Sequence, residues 1–331
     1  MELERREKLT KLEPFADIAE LEISDEEILQ AAKNSDIGLL AIGRNSAEEH
    51  DLKLEKDYHL RDAELSLLHR LSDAFHQEGK KLIVVLNIPS AIDTHWADKT
   101  DAILVSWYGG QEGGNAVADV LSGVVNPSAK LTQTFPKQYA DVPSADSFFG
   151  QPKDNPTDIS YTEGIYVGYR YFDRFNIEPA YPFGFGLSYT DFDYSDLTLG
   201  SPQFQDTMQV TVKVTNTGKV AGMESVQLYL QSPSGSIDKP VKELKAFAKT
   251  ELLQPGQSEV LTMSLDAKAL ASFHTASSQW VADKGEYAVL IGRSSRDFPL
   301  KDHFTLPDTL VVEQVQAAFT ENLPFTDLVP Q

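Results

Sequence analysis

Apolar positions follow two different rhythms along this chain. In the first part, Ser24-Asp25-Glu26-Glu27 has the spacing of a capping box, which predicts a helix from residue 25 to about residue 34. Residues 37–42 form a short apolar run between turn-formers, the pattern of a strand buried on both faces. Leu65, Leu68, Leu71 and Phe75 then recur on one stripe of a helix spanning residues 63–77, with Gly79 placed to end it. Two more strand-length runs, 82–88 and 102–107, precede a helix-like stretch at 115–121. Strand–helix–strand order with short connections predicts a parallel sheet covered by helices. Residues 1–23 offer no convincing strand, so this sheet is expected to be incomplete at its N-terminal side, with an unpaired edge.

The rhythm changes near Tyr189. Residues 209–214, 225–231, 260–265 and 287–291 are strand-like, separated by Asn216-Thr217-Gly218, Pro233-Ser234-Gly235 and Pro255-Gly256. No long helical pattern interrupts them, so an antiparallel β-sandwich is expected. Residues 179–186 form the hinge between the two styles. The stretch from about Ala317, polar and carrying two prolines, is expected to pack as a tail. The fold class is therefore α/β followed by all-β, with domains at 1–178 and 179–331.

Composition narrows the function by exclusion. Fifty acidic against 29 basic residues give a net charge of −21, which argues against nucleic acid or an anionic membrane as partner and fits a neutral substrate. The absence of cysteine removes disulfides, zinc–thiolate sites and cysteine nucleophiles together. Seven histidines lack metal-ligand spacing, so neither a metal nor another cofactor is expected. The opening MELERREKLTKLEPF is charged where a signal peptide is apolar, so no export signal is expected on this chain.

Three segments carry candidate chemistry. The first runs from Ile42 through Arg44, Glu48 and Glu49 to Asp51, just after a predicted strand. Ligands bind at the carboxyl ends of strands in open α/β sheets, and adjacent acids there could supply a general acid. From its residues alone, such a loop is more often a solvated turn. The second, Trp107-Tyr108-Gly109-Gly110-Gln111-Glu112-Gly113-Gly114-Asn115, joins strand to helix. Its glycines suit either a tight turn, the commoner case, or an anion at free helix-start amides; it matches neither phosphate-binding pattern. The third, Tyr161 to Phe172, could stack its aromatic rings on sugars, but alternating tyrosines are better read as a half-buried strand.

Taken together the segments resemble the C-terminal region of glycoside hydrolase family 3. The resemblance is carried by GRNSAEEHD from Gly43, LNIPSAIDTHW from Leu86, and the SWYGGQEGGNAVADVLSGVVNPSAKL stretch from Ser106. It continues in YTEGIYVGYRYF from Tyr161, AYPFGFGLSYT from Ala180, VTVKVTNTG from Val210 and DKGEYAVLIGRSS from Asp283. It implies an α/β sandwich domain, here without its opening strand, and an immunoglobulin-like fibronectin type III-like domain. A barrel domain normally precedes both. It further implies a retaining exo-glycosidase, most often a β-glucosidase acting on terminal β-glucosides or oligosaccharides through two carboxylates. The nucleophile belongs to the barrel, a separate or missing partner for this chain. The general acid/base of the family's G-R-x-x-G-E-x-x-D pattern falls on Glu48, with Glu49 as its nearest rival. Arg44 and Asp51 match the same pattern as loop supports, and Trp107 reads as core. Three departures stand out: Ala47 and Ala129 where the family has glycine, and Pro89-Ser90 for a common glycine pair. Alanine at 47 would strain the loop if its backbone needs positive φ.

Overall fold

The computed structural model describes residues 22–46, 48, 51–235 and 237–316. It divides the chain into two compact units, residues 1–117 and 118–331. The expectations for residues 1–21 and for the tail from Ala317 lie outside the described residues.

The first unit begins with helix α1, Asp25–Asn34, and its capping box forms as expected. The Ser24 hydroxyl accepts from the Glu27 amide at 3.3 Å, and the Glu27 carboxylate accepts from the Ser24 amide at 2.9 Å. Strand β1, Ile37–Gly43, helix α2, Asp62–Gln77, strand β2, Lys81–Asn87, and strand β3, Ala102–Val105, follow in order. They form a parallel sheet of order β1-β2-β3, in register from Ile37 opposite Lys81 to Gly43 opposite Asn87. Helix α3, Gly113–Leu121, closes this part of the chain.

Two details depart from the sequence pattern. Strand β1 is not buried on both faces: it alternates, with Leu40 and Ile42 in the core while Ile37 and Leu39 are 50% and 58% exposed. A continuous apolar run predicts two covered faces, but α1 and α2 join the core on one side only. Helix α2 is also rotated from the expected stripe: Leu67, Leu68 and Phe75 are fully buried, while Leu65 and Leu71 are partly buried.

The start of β2 is pinned by Asp101, ahead of β3. Its carboxylate accepts from the Leu82 amide at 2.9 Å and pairs with Lys81 at 2.6 Å and His76 at 2.9 Å. The Lys81 ammonium first, then the Leu82 amide and His76, hold this carboxyl far below the usual carboxylate range. A depressed pKa contributes stability above the unfolded value near 4, and that contribution is lost as pH falls through the folded value. Asp101→Asn is expected to cost about 1–2 kcal/mol at neutral pH, reduced by partial solvent screening. Urea midpoints of the two proteins, followed from pH 7 downward, should converge in acid; a gap that stays constant would show the carboxylate charge to be irrelevant.

In the second unit, strands β4 to β8 are Phe192–Leu199, Thr207–Asn216, Ser225–Gln231, Glu243–Lys249 and Ser258–Asp266. Strands β9 to β13 are Ser272–His274, Gln279–Ala282, Gly285–Gly292, Leu300–Leu306 and Leu310–Gln314. The main sheets are β12-β11-β6-β7 and β4-β5-β8, both antiparallel, with a small β13-β10-β9 sheet beside them. Val210, Val212, Val214, Leu228, Leu230, Val289 and Ile291 fill one core between the sheet faces, the expected β-sandwich.

The segment from Tyr161 corrects a reading. It is not a strand: residues 161–168 turn, and helix α4, Tyr169–Arg174, follows. Gly164 and Gly168 adopt φ of +57° and +54°, which ends the alternation that the tyrosines suggested. Asp173 of α4 is buried and paired with Lys242 at 2.5 Å and Arg296 at 2.8 Å, so the helix is fastened to the sandwich by charge. Ala129 lies outside the left-handed region and carries no backbone strain.

Candidate active site

The candidate site grows out of the carboxyl end of β1. At Arg44 the chain leaves the sheet, and this residue is engaged at every polar group. Its amide donates to Asn87 O at 3.0 Å, and its carbonyl accepts from the Tyr108 hydroxyl at 2.7 Å. Its guanidinium, 1% exposed, forms a two-pronged pair with Glu64 at 2.8 and 2.7 Å. The remaining donors reach Gly43 O at 2.7 Å, Asp57 O at 3.2 Å and His59 O at 3.2 Å. A planar fork of five N–H groups is the side chain that can fill such a set, and lysine could not. The arginine therefore fixes β1, the turn of the Leu54–Tyr58 segment and the first turn of α2 together.

Beyond this hub the loop reaches Glu48, which is exposed in a bend. Asp51 is also exposed, and among the described residues no hydrogen bond or ion pair joins it to Arg44. Ala47 and Glu49, on which the strain argument and the rival assignment rest, lie outside the described residues. Pro89-Ser90 follows β2 in a bend. Thus Arg44 is a built structural centre, Glu48 is presented to solvent, and Asp51 is exposed without a bond to Arg44 among the described residues.

Three neighbours of the hub were given no role by sequence reasoning. Glu64 is the first. Its place in α2 reads as an ordinary helix-surface acid, and only the fold turns it inward to Arg44. The second is Asp93, 4% exposed, whose Oδ2 faces the Nδ1 atoms of both His59 at 2.9 Å and His95 at 2.5 Å. Burial would raise this carboxyl, but the His95 amide and the two imidazoles more than offset it and hold it below its usual value. An ionised Asp93 accepts from both rings, so each Nε2 faces away from it. The Asp93 amide also donates to Tyr58 O at 2.9 Å, which clamps the turn that Arg44 grips through Asp57 O and His59 O. The third is Tyr108, whose phenol is pushed up by desolvation and then by the charge of Glu48. Trp107, read as core, is only partly buried, packs at the core's margin, and holds φ +50°. Among the described residues, no group of three or more His, Cys, Asp or Glu is placed to hold a metal ion.

The chain is similar in both sequence and structure to beta-glucosidases. The profile of the glycosyl hydrolase family 3 C-terminal domain matches residues 6–169, and that of the fibronectin type III-like domain matches residues 224–295. Thermostable beta-glucosidase B of Acetivibrio thermocellus is 38% identical over 92% of this chain, which spans 40% of that protein. The structure of beta-glucosidase 3B from Thermotoga neapolitana in complex with glycerol superposes with a TM-score of 0.87 at 45% identity. The match covers 93% of this chain and 44% of that one. The Bifidobacterium adolescentis GH3 beta-glucosidase superposes with a TM-score of 0.77 at 33% identity, over 91% of this chain and 44% of its own. The chain therefore spans less than half the length of the relatives it matches. It belongs to glycoside hydrolase family 3, as that family's C-terminal α/β domain followed by a fibronectin type III-like domain.

Proposed function

We propose that this chain supplies the general acid/base, Glu48, to a retaining exo-acting β-glucosidase that hydrolyses terminal β-D-glucosides. The observation that carries this reading is the exposed Glu48 carboxylate beyond the carboxyl end of β1, on a loop rooted in the fully engaged Arg44. In the first step the protonated Glu48 donates to the glycosidic oxygen as the aglycone departs. In the second, as carboxylate, it takes a proton from the water that attacks the glycosyl intermediate. The wall of a barrel domain and the nucleophilic carboxylate it carries would desolvate Glu48 and favour its neutral form. The nucleophile is therefore assigned to a barrel domain outside these 331 residues, joined or separate. Arg44 supports the loop, and Asp51 is the weaker candidate for that role. The boundary between the two domains at 178/179 belongs to the same proposal.

An aryl β-glucoside assay tests it. These 331 residues alone are expected to turn over at background rate, and addition of a family barrel domain is expected to restore hydrolysis. Turnover by these residues alone, or a bound barrel that restores nothing, would defeat the assignment. A binding module is the second reading, favoured by the exposed Ile37 and Leu39 on one sheet face. It predicts retention of oligosaccharide or protein without any gain of hydrolysis when the barrel is present.

A further inference from the structure

Tyr108 is delivered to the root of the candidate loop by a segment built for close approach. Trp107 holds φ +50°, a conformation that bulky side chains avoid unless the surroundings enforce it. At Gly109 a Cβ would lie 2.7 Å from the Gly113 Cα, so only glycine lets this turn press against the start of α3. Gly110 follows with φ +66°. The outcome of this reversal is one interaction: the Tyr108 hydroxyl donates to the Arg44 carbonyl at 2.7 Å. That carbonyl is the last group of the hub before the backbone departs toward Glu48. The phenol is also within electrostatic reach of Glu48, whose charge adds to desolvation in opposing its ionisation.

We propose that Tyr108 is a positioning residue for Glu48, tethering the start of its loop so that the carboxyl group meets the glycosidic oxygen. The proposal rests on the reading of Glu48 as acid/base. The hydroxyl proton is committed to Arg44, so Tyr108 donates nothing to substrate and acts only through the placement of Glu48. A side chain with that role matters most when the leaving group needs a proton. Strand β3 lies two places from β1 in the sheet, and a tyrosine is long enough to bridge that gap while a shorter side chain is not.

Leaving-group dependence decides it, measured on the chain combined with a barrel domain. For methyl β-glucoside, whose departure requires protonation, Tyr108→Phe is expected to lower kcat/KM roughly ten-fold. For 2,4-dinitrophenyl β-glucoside, which leaves unaided, kcat/KM should stay within about two-fold of the parent. Equal losses on both substrates, or parent rates on both, would overturn the proposal. So would a Tyr108→Leu variant that loses activity while Tyr108→Phe keeps it, because that pattern assigns the role to ring packing. Glu48→Gln separates the two ideas. If it keeps the methyl glucoside rate, the acid/base reading falls; if it loses that rate while Tyr108→Phe does not, only the positioning role falls. A readout free of the barrel is the 13Cζ titration of Tyr108 in these 331 residues alone. Glu48→Gln is expected to move it toward the ordinary tyrosine value, and an unmoved titration would show that the two groups do not share a site.

Discussion

Replacing Glu48 with glutamine is expected to lower kcat/KM on methyl β-glucoside by about 10²–10⁴-fold when a barrel domain completes the site. The size follows from the role. Glutamine preserves the volume and most hydrogen bonding of the side chain but can neither deliver a proton to the aglycone nor remove one from water. An activated aryl glucoside should behave differently: its first step needs no acid, so the glycosyl intermediate forms at near-normal rate and then accumulates because water is no longer activated. A burst of aryl alcohol followed by a slow steady state is the expected trace. Added azide, an anion that needs no general base, should speed the slow phase and yield the glycosyl azide with retained configuration. Loss of the burst would place Glu48 in binding or folding instead, and unchanged methyl glucoside kinetics would remove it from the site. Because Glu48 is exposed and, among the described residues, makes no hydrogen bond or ion pair with Arg44, the substitution should leave urea stability within about 0.5 kcal/mol of the parent.

How much of this was legible beforehand depended on whether the signal was local. The capping box at Ser24 and the strand at 225–231 were readable because one short segment holds all the information each needs. Strand β7, ELKAFAK, was not: its residues are of middling burial and charge-flanked, so no alternation marks it. Strand β4 is interrupted by Ser195 and Asp196, the latter with φ +52°, where the register against β5 also shifts. The tyrosine run from Tyr161 misled because period two describes side-chain spacing and says nothing about φ, and the glycines at 164 and 168 took the chain elsewhere. At the site, motif spacing picked out Arg44 and Glu48 through resemblance to a family pattern. Spacing could not supply Glu64, Asp93 or Tyr108, which lie 20, 49 and 64 positions beyond Arg44 and meet it or its turn only through parallel β–α–β topology. Non-local polar partners of this kind leave no periodic trace, although the adjacency of Tyr108 to a glycine pair after a strand was a usable hint.

Arg44→Met is expected to be the most destabilising single change in the α/β unit, costing about 3–5 kcal/mol. The guanidinium is 1% exposed and Glu64 is 10% exposed, so removing the cation leaves a carboxylate out of water that keeps the Arg61 amide, at 2.9 Å, as a donor among the described residues. Three carbonyls, of Gly43, Asp57 and His59, lose a donor in the same step. Removing Glu64 as well should recover part of the loss, because an apolar pair no longer strands a buried charge; the carbonyls remain unserved, so recovery stays incomplete. Arg44→Lys keeps the charge but reaches at most three of the acceptors, and should fall between the parent and Arg44→Met. Trp96 and Trp107 lie in this unit and Trp280 in the other, so intrinsic fluorescence during urea unfolding reports chiefly on the region affected. A loss below about 1 kcal/mol, or an Arg44→Met/Glu64→Leu double variant no more stable than Arg44→Met alone, would contradict the hub as described. Strand β1 runs directly into Arg44, so loss of the hub's rigidity should also lower the acid/base step proposed for Glu48, through misplacement, even under conditions where the variant is still folded.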